Sequence, residues 1–192
     1  MSILDAAAEV AEFLEDEGIP YAIIGGLAVQ HWGEPRTTRD VDVVVVVSAE
    51  GEERFLQAAA ERFQPRMPDA ITFARRSRVL LLIASDGSPI DLSLGIAGYE
   101  DEVVRRAVTI ATPGHRPIRI VGPEDLVIHK CLAGRPRDAE DVERILIRRR
   151  LELDLPYIRG WLEAFAPLVD EHDVLAFFER ALKKARSELS RK

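Results

Sequence analysis

Three aspartates have the side chains and the spacing of a metal site. Asp40 and Asp42 open an apolar run at residues 43–47, and Asp91 stands at the start of a later apolar segment at 90–94. Alternate residues of a strand point to one face, so Asp40 and Asp42 are predicted to share a face, about 6 to 7 Å apart. Carboxylates beside buried valines repel each other and lose solvation, and bound Mg²⁺ offsets both costs.

Carboxylates from two adjacent strands predict a particular chemistry. Three of them can hold two Mg²⁺ ions for in-line displacement at phosphorus, where one ion polarises the attacking oxygen and the other the leaving phosphate. Asp40 and Asp42 are expected to bridge the ions, and Asp91 to act as a base or as a ligand of the second ion. Without Asp91, the Asp-x-Asp pair would be interpreted as a capped strand end.

A glycine pair, Gly25-Gly26, lies between a predicted strand at 21–24 and a short predicted helix at 27–31. Glycines at such a junction let backbone N–H groups approach an anion at the positive end of the helix, which is a common way to bind phosphate. The same pair also suits a plain tight turn. The fixed order of glycines, loop and aspartates favours phosphate binding.

The loop before the first aspartates carries Arg36, Thr37, Thr38 and Arg39. The arginines are candidates to neutralise phosphate, and the threonines to donate hydrogen bonds to it. In the alternative interpretation, one of these arginines pairs with the aspartates while no metal is bound.

Hydrophobic patterning predicts an α+β fold, a mixed sheet with flanking helices over residues 1–121, and a helical C-terminal part over 122–192 packed on that core. The predicted strands are 21–24, 43–47, 71–75, 79–84, 90–94, 108–111 and 118–120, with Asp86-Gly87 as a hairpin turn. The predicted helices are 3–17, 27–31, 50–63, 99–107, 123–133, 138–149, 156–165 and 171–189. The arginines at 75, 76 and 78 are then placed on or beside an edge strand, where they could guide an RNA backbone or protect the edge by charge.

The C-terminal helices carry further candidates. Lys130 lies next to the apolar side of its helix, where a lysine either extends to solvent or reaches into a cleft towards phosphate. Asp138 is a helix cap in the simplest interpretation. Asp141 is expected either to pair with Lys130 or an arginine, or to act directly in catalysis.

Composition limits the function classes. The chain has 192 residues, 47% of them hydrophobic and 31% charged, which is typical of a globular protein. The net charge of −7 means that any nucleic-acid contact must be local. Cys131 is the single cysteine, and four scattered histidines do not have zinc-site spacing. No membrane span or signal peptide is predicted, so a cytoplasmic location without membrane contact is expected.

The order of Gly-Gly turn, Asp-x-Asp and later aspartate resembles the DNA polymerase β-like nucleotidyltransferase superfamily over residues 21–94. More narrowly, the segments at 36–42, 125–133 and 137–142 look like the AbiEii-type nucleotidyltransferases, toxin components of bacterial phage-defence and toxin–antitoxin systems. The resemblance implies transfer of a nucleoside monophosphate from an NTP to an acceptor, with release of pyrophosphate.

The AbiEii resemblance also implies residue roles and partners. It gives functional roles to Lys130, Arg137, Asp138 and Asp141, an RNA or tRNA end as acceptor, and a cognate antitoxin protein as partner. Two other hypotheses stay open: an enzyme of the same chemistry that modifies a small hydroxyl compound, as antibiotic nucleotidyltransferases do, and a nucleotide-binding or partner-binding module without turnover.

Overall fold

The chain forms two compact units. The computed structural model describes residues 2–96 and 98–191. A sheet unit comprises residues 1–27 and 37–121, and a helical unit comprises 28–36 and 122–192. Segment 28–36 therefore belongs to the helical unit although it lies within the N-terminal part of the sequence.

The sheet unit contains one mixed sheet of seven strands in the order β3-β4-β5-β2-β1-β7-β6. The strands are β1 (Tyr21–Ile23), β2 (Val41–Val45), β3 (Gln64–Pro65), β4 (Val79–Ile83), β5 (Pro89–Leu94), β6 (Val108–Ile110) and β7 (Ile118–Ile120). β2 runs parallel to β5, and β1 runs parallel to β7, while the other neighbours are antiparallel. The predicted α+β fold class is confirmed.

Nine α-helices fall within the described residues. The sheet unit holds α1 (Ile3–Asp16), α3 (Glu52–Arg62), α4 (Ala70–Ser77) and α5 (Tyr99–Arg106), and the helical unit holds α6 (Pro123–Ala133), α7 (Pro136–Arg148), α8 (Leu155–Phe165) and α9 (Val174–Leu189). Helix α2 (Gly25–Trp32) starts in the sheet unit and ends in the helical unit. None of the helices within 2–96 and 98–191 is long and apolar enough to cross a membrane.

Strand β2 shows how the sequence orients the sheet. Val41, Val43 and Val45 share one face and are fully buried, which contributes roughly 1.5 to 3 kcal/mol for each side chain. Asp42 lies on the opposite face and is only partly buried. The strand begins two residues earlier than predicted, so Asp42 is inside the strand and Asp40 immediately precedes it.

The predicted strand at 71–75 is wrong, because these residues belong to α4. Ala70 and Ala74, one helical turn apart, are both buried, and α4 packs against β4. The β-branched and aromatic residues of this segment predicted a strand. The two buried alanines, however, are four residues apart, which is the spacing of residues on one face of a helix. The helix ends at Ser77, and Arg78, which caps it, has a left-handed backbone.

The arginine cluster near α4 is therefore part of a helix-to-helix contact. Arg75 Nε donates to Glu53 at 3.0 Å, and Arg78 Nη1 donates to Glu52 at 2.6 Å, so both pair with carboxylates of α3. These contacts replace the strand-edge role expected for the cluster.

The helical unit is built around α6, with α7 and α8 packed against it and α9 against α7. Val142, Ile145, Phe178 and Leu182 are fully buried between these helices. The buried carboxylate of Asp125 accepts a hydrogen bond from the Tyr157 hydroxyl at 2.7 Å, so its polar atoms are not left without a partner.

His129 on α6 makes the stability of the helical unit depend on pH. Burial lowers the pKa of His129 to about 4, and the charge of Lys130 acts in the same direction. The unfolded chain takes up this proton near pH 6.5, so the stabilisation is complete above that pH and is lost as the pH falls towards 4. Between pH 7 and pH 5 we expect a loss of about 2 kcal/mol. Urea unfolding at both pH values measures it.

The matched control for that measurement is His129→Gln, which has no group titrating in this range. Its free energy of unfolding should change less between pH 7 and pH 5 than that of the wild type. An equal change in both proteins would show that other groups determine the pH dependence.

Candidate active site

Asp42 and Asp91 lie side by side on one face of the sheet. They are register partners on the parallel neighbours β2 and β5, and side chains of such partners project to the same face from strands about 4.8 Å apart. Leu81 of β4 is the next partner in this row, opposite Asp91. The backbone N–H of Arg66, just after β3, donates to the Leu81 carbonyl at 3.0 Å and extends the row to a fourth segment.

The glycine turn closes tightly on Asp42. Gly25 has φ +60°, a left-handed conformation that favours glycine, and a Cβ at this position would lie 1.8 Å from Asp42 Oδ2. The backbone N–H of Ile24 also donates to the Asp42 carbonyl at 2.9 Å. The start of α2 is thus held directly against the strand that carries the Asp-x-Asp pair.

Gly26 closes on the loop in the same way. A Cβ at Gly26 would lie 2.3 Å from Thr38 Oγ1 and 2.7 Å from Thr38 Cβ. The Thr38 hydroxyl donates to Asp40 Oδ1 at 2.9 Å. Glycines, loop threonine and aspartates, which the sequence only placed in order, are therefore in contact within the sheet unit.

Gly25→Ala is expected to destabilise the chain by more than the cost of a left-handed alanine, because the new methyl group overlaps the Asp42 carboxylate. Gly18→Ala is the matched control: Gly18 has φ +67°, but no atom lies within 4 Å of its added Cβ. We expect about 1 kcal/mol for Gly18→Ala and about 3 kcal/mol or more for Gly25→Ala. Urea unfolding of both variants measures the difference. Equal losses would show that Asp42 moves away without cost.

Asp91 is paired with an arginine that the sequence did not indicate. The Arg66 guanidinium forms an ion pair with Asp91 Oδ1, with 29% and 34% of the two side chains exposed. Arg66 follows a strand of only two residues, too short for sequence patterning to detect. The sequence left open an ion pair between a loop arginine and the aspartates. In the structure Arg66 forms such a pair with Asp91, whereas the loop residue Arg36 pairs with Asp141.

The carboxylates fit a hard divalent cation by their chemistry. Asp42 and Asp91 offer oxygen ligands from adjacent positions, and Asp40 stands two residues away at the entrance of the same strand. Within residues 2–96 and 98–191, no three side chains of the His, Cys, Asp or Glu type are gathered into a ready metal site. One oxygen of Asp91, Oδ1, is engaged in the ion pair with Arg66.

The other candidate residues form a buried ion network in the helical unit. Lys130 Nζ lies 2.8 Å from Asp138 Oδ1 and 2.9 Å from Asp141 Oδ2, and these three side chains are 12%, 4% and 6% exposed. Arg36 Nε lies 3.2 Å from Asp141 Oδ1. The backbone N–H of Arg135 donates to Asp138 Oδ2 at 3.2 Å, so Asp138 also caps α7.

The sequence left several interpretations open for the members of this network, and the structure shows the following contacts for them. Asp138 has the capping contact, Asp141 has the ion pairs with a lysine and an arginine, and the Lys130 ammonium is bound by both carboxylates. Thr37, Arg39 and Arg137 are exposed. The candidate residues are thus divided, with Gly25, Gly26, Thr37, Thr38, Arg39, Asp40, Asp42 and Asp91 in the sheet unit and Arg36, Lys130, Arg137, Asp138 and Asp141 in the helical unit.

A second arginine cluster surrounds the end of α2. The Arg149 guanidinium lies 5.5 Å from the centre of the Trp32 ring, and Arg148 Nη1 donates to the Gly33 carbonyl at 2.5 Å. Burial, together with the charges of Arg148 and Arg149, lowers the pKa of His31. The exposed His31 ring contacts the Trp32 ring edge to face, with 4.4 Å between the ring centres, and the arginines beside them give this part of the surface a positive charge.

A glycine turn at the start of a helix, an Asp-x-Asp strand and a third aspartate on the neighbouring strand match the pattern expected from the resemblance to nucleotidyltransferases. Residues 3–176 match the model of the family described as "Nucleotidyl transferase of unknown function (DUF2204)", and the chain belongs to this family. A search of curated proteins gave no match.

Solved structures are similar to this chain at low sequence identity. An antigenic nucleotidyltransferase-like protein from Paracoccidioides brasiliensis is 18% identical, with a TM-score of 0.59 over 98% of this chain and 90% of that chain. A candidate nucleotidyltransferase from Thermotoga maritima is 16% identical, with a TM-score of 0.47 over 84% and 93% of the two chains. The first of these supports the nucleotidyltransferase fold for the whole chain.

Proposed function

We propose that this nucleotidyltransferase is Mg²⁺-dependent and transfers a nucleoside monophosphate from an NTP to an acceptor hydroxyl, with release of pyrophosphate. The observation that carries the proposal is the pairing of Asp42 with Asp91 on adjacent parallel strands, with the Gly25 backbone against Asp42. Asp42 thus lies beside the start of α2, where backbone N–H groups favour an anion, and Asp91 is its neighbour on the next strand.

Asp40, Asp42 and Asp91 are the proposed ligands of two Mg²⁺ ions. When bound, these ions would neutralise the triphosphate and stabilise the charge that develops at the transferred phosphorus. The Thr38 hydroxyl orients Asp40 by its hydrogen bond, and Asp91 is the carboxylate that serves as base or ligand of the second ion. The Gly25-Gly26 turn, with Thr37, Thr38 and Arg39, is the proposed phosphate-binding segment.

The ion network has a proposed supporting role. Its contacts favour Asp138 and Asp141 as residues that hold Lys130 and Arg36 in place, over direct contact with the nucleotide. Lys130 and Arg36 are the proposed cations for phosphate, with the exposed Arg137 as a third. Two carboxylates on one ammonium hold the lysine side chain in a defined position.

We propose an RNA end as the acceptor, in line with the AbiEii resemblance. The arginines beside Trp32 offer charge for a phosphate backbone and an aromatic ring in the helical unit. A second candidate acceptor is a small cationic hydroxyl compound. It is favoured by the charge distribution, because the helical unit has 15 acidic and 15 basic residues and the whole net charge of −7 lies in the sheet unit.

Transfer of label from each α-labelled NTP, with Mg²⁺, identifies the acceptor. Wild type and the double variant Asp40→Asn with Asp42→Asn are incubated with total RNA, with a panel of hydroxylated amines, or alone. Glu61→Gln, an exposed carboxylate of the sheet unit, is the matched control and should keep wild-type transfer. Label on a defined RNA in the wild type and control alone supports the RNA acceptor.

The other outcomes of that experiment separate the alternatives. Label on an amine, but not on RNA, would exclude the RNA acceptor and support the small-molecule one. Metal-dependent NTP binding without transfer to any acceptor would support a nucleotide-binding module.

We also propose that the chain acts in the cytoplasm, where NTPs are available, as the toxin of a toxin–antitoxin pair. Induced expression in a bacterium should then arrest growth with the wild type but not with the double aspartate variant at equal protein level. Equal growth of both cultures would remove the toxin proposal, and with it the expectation of a cognate antitoxin.

A further inference from the structure

The ion pair of Arg66 with Asp91 stands at the end of the row that also contains Asp42. The Arg66 backbone is fixed by its hydrogen bond to Leu81, and Pro65, the residue before it, restricts the chain. Its side chain is under no such restraint and is 29% exposed. The guanidinium can therefore leave Asp91 without any change in the sheet.

Electrostatics explains why Arg66 takes this position. Asp42 and Asp91 are like charges on adjacent strands, and each disfavours the other in the absence of a cation. The Arg66 guanidinium supplies one positive charge at Asp91. A divalent cation bound by the same two carboxylates would supply two charges, and Arg66 holds one of the two oxygens that Asp91 offers to it.

Two cations that bind the same carboxylate compete for it. Arg66 opposes cation binding in two ways, because it occupies an Asp91 oxygen and because its charge repels the incoming ion. We propose that Arg66 is the counter-ion of Asp91 in the metal-free protein and that a divalent cation must displace it to bind. This inference rests on the proposed function only in placing the cation at Asp42 and Asp91.

The test measures cation affinity without nucleotide. Mn²⁺ is titrated into the full chain, and free Mn²⁺ is followed by electron paramagnetic resonance, for wild type, Arg66→Gln and Arg66→Lys. Arg66→Gln should bind Mn²⁺ about five- to tenfold more tightly, since it removes both the competing contact and the repelling charge. Arg66→Lys keeps the charge and should remain close to wild type.

Two controls make the result specific. Arg75→Gln removes another arginine of the sheet unit that pairs with a carboxylate, Glu53, and should leave Mn²⁺ affinity unchanged. In an Asp91→Asn background, Arg66→Gln should tighten binding much less than in the wild type, because the competition for Asp91 is gone and only the charge repulsion is removed. Circular dichroism checks that each variant is folded.

Equal Mn²⁺ affinity of wild type and Arg66→Gln would overturn the inference, as would tightening of the same size with Asp91→Asn, or a chain that binds no Mn²⁺ in any form. Failure of the proposed function is a different result. If no nucleotide is transferred but Arg66→Gln binds Mn²⁺ more tightly than wild type, the counter-ion role stands and the proposed reaction falls.

Discussion

Asp42→Asn is expected to lower nucleotidyl transfer by about a thousand-fold while the fold is kept. Asparagine has the shape of aspartate, so it fits against the Gly25 backbone, but it removes a negative charge that the proposed Mg²⁺ site requires. Asp42 lies on the less buried face of β2, whose core face is made by valines, so its replacement does not disturb packing. Initial rates at saturating Mg²⁺ and NTP measure the loss.

Asp91→Asn provides a comparison on the neighbouring strand and should lose transfer to a similar extent, because the two carboxylates are register partners. The midpoint of thermal unfolding of each variant should stay within a few degrees of the wild type. A folded Asp42→Asn protein that keeps a tenth or more of the wild-type rate would show that Asp42 is not a metal ligand.

Part of this site could be predicted from the sequence because it depends on local order. A glycine pair between a strand and a helix has few conformations, and the period of two along a strand separates Asp42 from its valine neighbours. The pairing of Asp42 with Asp91 depends instead on the register of two strands nearly 50 residues apart, which no local pattern fixes. The sequence predicted that the two strands are adjacent, but only the structure shows the register that puts Asp42 beside Asp91.

The features that the sequence did not predict also depend on contacts between residues far apart in the chain. The segment of α4 contains β-branched and aromatic residues, and its helical state is determined by packing of Ala70 and Ala74. Arg66 follows a strand of two residues, and its pairing with Asp91 exists only because three strands align. For Asp138 and Asp141, the sequence left capping, ion pairing and catalysis open, because the choice depends on where Lys130 points.

Lys130→Met is expected to lower the free energy of unfolding by about 3 to 5 kcal/mol. Methionine preserves most of the side-chain volume but leaves Asp138 and Asp141, which are 4% and 6% exposed, without the ammonium between them. Removing one partner from a buried ion pair costs far more than a surface pair contributes, because the remaining charge has lost both water and its counter-ion. Urea unfolding at pH 7 measures the change.

The matched control is Lys184→Met, whose lysine is 68% exposed and lies 3.5 Å from Glu143, so we expect a change of at most about 1 kcal/mol. Adding Asp138→Asn to Lys130→Met should recover about 1 to 3 kcal/mol, because it removes one of the stranded charges. Asp141 keeps Arg36 as a partner, so the recovery should come mainly from position 138. If Lys130→Met unfolds at the same urea concentration as Lys184→Met, the network contributes little to stability. The position of Lys130 between two carboxylates would then have to be explained by its proposed role in phosphate binding.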